Sequence, residues 1–249
     1  MRYTVIIPAR YGSERFPGKP LADLNGKPLI QHVYEQAKKV LDAVYVATDD
    51  NRIMDAVKAF GGEAVLTAAI HQSGTDRCAE AARILVAAGA GVDIIINLQG
   101  DEPFIRPEQI RLLLSCFGDE GTQIATLATP ARSNKEVHDP NSVKVVTAAD
   151  DHALYFSRSP IPNIRKALDG DFLSHYPFLK HVGIYAYRYE VLQEITLLPA
   201  SALEKAESLE QLRWLENGYR ILVKVTDSGN IGIDTPEDLE QAKAKLKGW

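Results

Sequence analysis

Short apolar runs at residues 3–8, 43–48, 63–66 and 92–98 punctuate the first hundred residues, and each reads as a buried strand. Between them, apolar positions recur at helical spacing over 29–40, 51–60 and 75–88. Short strands alternating with helices of this length predict βαβ units and a parallel sheet. Asp49-Asp50-Asn51 offers the second helix an N-cap, and Gly61-Gly62 ends it. The pattern then changes. Residues 143–147 and 153–157 read as a hairpin around Ala148-Ala-Asp-Asp-His152, and 181–188 alternates like a half-buried strand. Residues 160–177 are polar and rich in Pro, Gly and Asp, the composition of a flexible loop or lid. After Pro199, one helix is predicted through Leu209, Leu212 and Leu215 to a cap at Asn217-Gly218. A strand over 219–225 and a helix over 236–246 follow. Neither a repeat nor a linker intervenes. The expectation is one α/β domain over 1–249, a mostly parallel sheet flanked by helices, with an inserted hairpin subregion over about 133–218.

Composition narrows the function more than the fold. The chain has 249 residues, 45% apolar and 24% charged, as in an ordinary globular protein. A net charge of −5 argues against general nucleic-acid affinity, so any anion site must be local. Cys78 and Cys116 have neither metal spacing nor a disulfide framework, which suits a reducing compartment. The apolar run before Arg10 is too short for a signal peptide, and no run reaches the ~18 residues of a membrane span. A cytoplasmic protein without membrane insertion is expected.

Local anion chemistry is concentrated at residues 6–21. Pro8, Gly12, Pro17, Gly18 and Pro20 keep this segment out of helix until after Pro28. It delivers Arg10, Arg15 and Lys19 on a stiff loop beyond the carboxyl end of the first strand. Open α/β sheets bind ligands at that edge, so the three cations form a cradle for a polyanion. An ordinary basic surface loop is the plain alternative. The spacing fits neither the Walker A loop nor the dinucleotide G-x-G-x-x-G.

Three further strings carry candidate chemistry. Asn97-Leu-Gln-Gly-Asp-Glu-Pro103 follows the fourth strand to the same edge, where Asp101 offers a hard oxygen to Mg²⁺ against a triphosphate. A turn or cap is the plain reading, but the next helix starts near Pro107, too far on for Asp101 to cap. In His71-Gln-Ser-Gly-Thr-Asp-Arg77, Ser73, Gly74 and Thr75 present a cap and backbone N–H groups at a helix N-terminus. Arg77 falls in the first turn, where a cation opposes the helix dipole; it is either aimed at a ligand or simply solvated. Asp234-Thr235 precedes Pro236 at the start of the last helix, and either residue suits its cap.

Ile6-Ile-Pro-Ala-Arg10-Tyr-x-Ser13-x-Arg15-x-Pro-Gly-Lys19-Pro-Leu21 resembles the nucleotide-binding loop of sugar nucleotidyltransferases. In full it resembles the 3-deoxy-manno-octulosonate (Kdo) cytidylyltransferase family, and the likeness runs over 6–239. The resemblance implies a Rossmann-like, nucleotide-diphospho-sugar transferase-like fold. It implies the reaction of CTP with Kdo to give CMP-Kdo and diphosphate, for lipopolysaccharide biosynthesis. Pro8, Ala9, Arg10, Ser13, Arg15 and Lys19 would then bind the nucleotide, with Arg10, Arg15 and Lys19 neutralising its triphosphate, and Gln72, Ser73, Gly74 and Arg77 would belong to the string that contacts its cytidine part. Asp101 and Asp234 would hold Mg²⁺, Asp101 also touching the nucleotide, with the choice between one ion and a second on the outer phosphates left open. Arg10, Arg15, Lys19, Asp101 and Asp234 form the implied catalytic set. Gln99, Arg158, His181, Tyr185, Glu210 and Gln211 would grip the acidic sugar, with Arg158 on its carboxylate. A homodimer through the excursion is implied as well. Gly12 and Ser159 stand where the family usually has Ala, and Phe16 where it has Leu, which leaves sugar selectivity open. The rivals are activation of a related acidic sugar (8-amino-Kdo or sialic acid) and a non-catalytic nucleotide-binding module.

Overall fold

The structure, a computed structural model, describes residues 1–12, 15–167, 170–227, 229, 232–233 and 235–246, the last two by backbone alone. In chain order the strands are β1 (Tyr3–Ala9), β2 (Asp23–Leu24), β3 (Lys27–Pro28), β4 (Val44–Thr48), β5 (Ala64–Leu66), β6 (Ile94–Asn97), β7 (Ile124–Pro130), β8 (Lys144–Thr147), β9 (Ala153–Ser157), β10 (Leu179–Arg188) and β11 (Ile221–Val225). The α-helices are α1 (Leu29–Lys38), α2 (Asn51–Ala59), α3 (Gly74–Ala87), α4 (Pro107–Ser115), α5 (Asn134–His138), α6 (Tyr189–Ile195), α7 (Ala202–Glu207), α8 (Gln211–Glu216) and α9 (Pro236–Leu246). They group into two compact units. The first holds Met1–Arg111, Ala186–Thr196 and the described residues from 232 onward; the second holds the described residues of Leu112–Tyr185 and Leu197–Gly229. The second overlaps the excursion read from the sequence, 133–218, and extends to either side of it.

In the first unit, β6, β1, β4 and β5 lie side by side in that order, all parallel. Val5, Ile6 and Ile7 of β1 and Ile94, Ile95 and Ile96 of β6 are fully buried. Covering both faces of a parallel strand takes helices, and α1, α2 and α3 are the crossovers between successive strands. The chain winds outward from β1 through β4 to β5, then returns to the other side of β1 as β6. Such a reversal is where open α/β sheets place a ligand crevice, outside the carboxyl edge of the strands. The helix starts follow the caps in the sequence. The Asp50 carboxylate accepts from Arg52 N at 2.9 Å at the start of α2. Ser73 and Asp76 close a reciprocal capping box on α3. At α9 the cap is Thr235, whose Oγ1 accepts from Asp238 N at 3.2 Å while Asp238 accepts from Thr235 N at 2.9 Å. Capping there does not require Asp234.

In the second unit, β7 pairs in parallel with β11, and β8 and β9 form the expected hairpin, bulged between Val146 and Thr147. The start of β10 joins that hairpin antiparallel, Leu179 opposite Val145. β7, Ile-Ala-Thr-Leu-Ala-Thr-Pro, is a strand that a search for apolar runs passes over, because its Ala and Thr residues dilute the signal. The one helix expected after Pro199 is two, α7 and α8. Between them Ser208 turns left-handed, φ 52°, and no helix continues through such a residue. Arg158 holds the break: Nε donates to Glu207 O at 2.7 Å and Nη2 to Ser208 O at 3.3 Å. Residues 160–178 carry no regular element among those described. Across the described residues, no helix is long and apolar enough to cross a membrane.

Candidate active site

Three loops of the first unit meet at the crevice: the one after β1, the one after β5 and the one after β6. Together they line a single cleft with Pro8, Ala9, Arg10, Arg15 and Lys19, with Gln72, Ser73, Gly74 and Arg77, and with Gln99, Gly100 and Asp101. Two site residues expected from the sequence, Ser13 and Asp234, lie outside the described residues. The segment leading to Asp234 nonetheless returns to this edge, since Ile233 N donates to Asp101 O at 2.9 Å. Close packing of the loops explains two glycines. A Cβ on Gly100 would stand 3.1 Å from Pro8 O and 3.2 Å from Ile30 Cδ1, and one on Gly74 would stand 3.1 Å from Pro8 Cγ.

Arg10 and Arg15 are exposed, and Lys19 Nζ donates to Asp101 Oδ2 at 2.6 Å. The cation loop is itself clamped. Gly18 N donates to Tyr11 O at 2.9 Å, and the Arg52 guanidinium stacks 3.3 Å from the centre of the Tyr11 ring. Asp50 grips Arg52 with both carboxylate oxygens, at 2.9 and 2.6 Å. The Arg52 hydrogen bonds hold the Asp50 carboxyl below the usual carboxylate range.

Arg77 is not a solvated side chain. It is 4% exposed, donates to Thr67 Oγ1 at 2.7 Å and pairs with Asp49 Oδ1 at 3.2 Å. Fixed in this way, it forms part of the cleft wall. His71 also borders the cleft, and its Nε2 bonds Glu80, which accepts from Ala68 N at 2.8 Å as well. Burial works to raise the Glu80 pKa, but the bonds from His71 and Ala68 outweigh it and leave it lowered. Pro20, His71 and Gly100 are the cleft residues to which the sequence reading gives no binding or catalytic role. The signal was there: each stands inside a string that supplies a neighbouring contact.

Of the residues expected to hold the sugar, Gln99 borders the first unit's cleft, and the others belong to the second unit. His181 and Tyr185 share one face of β10, their ring centres 5.2 Å apart. Phe156 meets His181 edge-on at 5.1 Å, and Trp214 meets Tyr185 edge-on at 5.2 Å. Burial pushes His181 down to about 3, so its ring is neutral. Burial, followed by the nearby Glu210 carboxylate, pushes Tyr185 well above its ordinary value. Gln211 is buried in the first turn of α8, and Glu210 lies 3.5 Å from Arg213 Nη2. Arg158 already donates to three backbone carbonyls, the third being Pro140 O at 3.0 Å. A guanidinium has five N–H groups, so with these three bonds among the described residues two are left for a carboxylate.

The cytidylyltransferase family pattern matches residues 4–221. A 3-deoxy-manno-octulosonate cytidylyltransferase of Parabacteroides distasonis is 60% identical over 250 aligned residues, 99% of this chain and 98% of the relative. Its counterpart in Thermodesulfovibrio yellowstonii is 51% identical over 98% of each chain. The structure of a CMP:2-keto-3-deoxy-manno-octonic acid synthetase complexed with CTP superposes with a TM-score of 0.90 at 47% identity, covering 100% of this chain and 99% of the other. A cytidylyltransferase structure from Leptospira borgpetersenii, at 17% identity and TM-score 0.66 over 100% of this chain and 88% of the other, shares the fold alone. With a matching pattern over most of its length and relatives aligned nearly end to end, this chain belongs to the cytidylyltransferase family.

Proposed function

We propose that the protein transfers the cytidylyl group of CTP to Kdo, giving CMP-Kdo and diphosphate for lipopolysaccharide biosynthesis. One observation carries the reading: at the sheet reversal of the first unit, Arg10, Arg15 and Lys19 share a cleft with Asp101. The anomeric hydroxyl of the sugar attacks the α-phosphorus, the bond to the bridging oxygen breaks, and diphosphate departs. Such transfers leave little covalent work to the protein, so positioning and charge stabilisation dominate. Arg10, Arg15 and Lys19 neutralise the triphosphate and the charge that gathers on diphosphate. Gln72, Ser73, Gly74 and the anchored Arg77 hold the cytidine part.

Mg²⁺ suits the cleft. Asp101 is a partly open carboxylate, and it already holds a cation, the Lys19 ammonium. No group of three or more His, Cys, Asp and Glu side chains gathers among the described residues. Mg²⁺ is commonly bound by one or two carboxylates, with phosphates and water completing its shell. Asp101 is one proposed ligand and Asp234 the other. The ion would supply charge neutralisation on the phosphoryl oxygens. His181, Tyr185, Glu210, Gln211 and Arg158 are the second unit's proposed contacts to the sugar. A cytoplasmic homodimer completes the reading, and sedimentation of the purified protein tests its assembly.

The test of function is diphosphate release by purified protein with Mg²⁺, each nucleoside triphosphate and each acidic sugar. CTP with Kdo should be the pair turned over. Ready use of sialic acid or 8-amino-Kdo with Kdo left untouched would move the substrate and keep the reaction. Absence of diphosphate release with every pair would leave a binding module.

A further inference from the structure

Thr126 sits on β7 and is fully buried. Its Oγ1 lies 2.7 Å from Ile184 O, 3.3 Å from Val182 O and 3.0 Å from His181 Nε2. A hydroxyl has one proton to donate and two lone pairs to receive with. The carbonyl of Ile184 has no proton, so the 2.7 Å contact commits the Thr126 proton to it. The contact to His181 is then attractive only if Nε2 brings its own hydrogen. A lone pair on Nε2 would face a lone pair of Thr126, or would take the proton and leave two oxygens facing each other at 2.7 Å. The imidazole is neutral, so it carries one N–H and one acceptor nitrogen. Phe156, edge-on at 5.1 Å, and Tyr185, at 5.2 Å, both pack against the ring and restrict its turning.

We infer that Thr126 is a positioning residue that locks His181 as the Nε2–H tautomer, so that Nδ1 offers a lone pair to a hydroxyl group of the sugar. This rests on the reading of His181 as a sugar contact. It adds a selectivity that a bare histidine lacks. A ligand group that donates, such as a hydroxyl, is accepted at Nδ1. A deoxy or O-methyl group there leaves the nitrogen unpaired and is rejected. The lock lies in a strand that offers no titratable side chain of its own at this point. It therefore acts through geometry and not through charge.

Thr126→Val removes the hydroxyl at nearly constant volume, and Thr126→Ser restores it. Two-bond ¹H–¹⁵N spectra of histidine-labelled protein, recorded at neutral pH without substrates, should show protonated Nε2 and bare Nδ1 for His181 in the wild type and in Thr126→Ser. In Thr126→Val the two nitrogens should move toward the other tautomer. In step with this, the KM for Kdo should rise about tenfold or more in Thr126→Val and recover in Thr126→Ser, with the KM for CTP within about twofold throughout. A wild-type spectrum with protonated Nδ1 overturns the inference, and it decides the matter even if Thr126→Val does not fold. An unchanged tautomer and unchanged KM in Thr126→Val overturn it too. Because the spectra need no substrate, a locked tautomer in an enzyme that ignores Kdo supports the Thr126 lock and counts against the sugar reading alone.

Discussion

The β1 loop of the first unit and the ring cluster of the second handle polarity in opposite ways. In the loop, Arg10 and Arg15 stand in solvent, and Lys19 rests on Asp101. In the cluster, Thr126 and Tyr185 are buried, His181 is held neutral, and Phe156 and Trp214 pack edge-on against the rings. Full charges near water are inexpensive to maintain and add their attraction on a polyanion. Telling one hydroxyl pattern from another takes neutral donors and acceptors fixed away from water, where an unmatched group is costly. The two regions match the two substrates proposed for them, a triphosphate and a polyhydroxy acid.

The sharpest way to break this comparison is Asp101→Asn. If the carboxylate faces the reacting phosphate with Mg²⁺, kcat should fall on the order of 10²-fold or more at saturating metal. Diphosphate release measures it, and turnover near wild type would remove Asp101 from the chemistry. Next in size, Lys19→Met should raise the KM for CTP roughly 10- to 100-fold, the scale of a lost charge-assisted bond. The KM for Kdo should barely move; a defect confined to the sugar would assign the loop to the other substrate.

The neutral cluster is tested by pH. Folded His181 titrates near 3, below the ordinary 6.5, so between these values the unfolded chain binds more protons. Stability therefore falls as the pH drops from about 6.5 toward about 3, by at most roughly 1.4 kcal/mol per pH unit from this group. His181→Gln should flatten that part of the Tm profile; parallel profiles would show that the ring is charged in the fold. The smallest effect expected is that of Arg52→Ala, which removes the cation stacked on Tyr11. It should raise the KM for CTP roughly two- to fivefold with kcat unchanged, the scale of an exposed cation–ring contact. Equal changes in both constants would mean that the clamp does more than order the loop.

Much of the first unit was legible because its physics is local. Parallel strands buried on both faces appear as apolar runs, and Asp50, Ser73 and Gly61 mark the helix ends in the sequence itself. Cleft residues clustered in three short strings, each following a strand, so the strings led to one place. What could not be read depends on partners far along the chain. The break at Ser208 is held by Arg158, fifty positions away. Arg77 is anchored by Asp49 and Thr67, neither of which belongs to its string. β7 and the role of Thr126 were invisible because threonine among alanines carries no periodic signal until β10 lies beside it.

Ile233, Leu239 and Ala242 pack with Leu24 and Leu29 in one apolar cluster. On a ribosome, about 200 residues separate the exit of Leu29 from that of Ile233, roughly 10–40 s at ~5–20 residues per second. Through that interval the residues just after the cation loop have no apolar cover from the chain's far end. The second unit has emerged whole before the first can close. A nascent chain of this protein should therefore keep the segment around Leu24 and Leu29 open to protease until the last helix emerges, after the whole second unit.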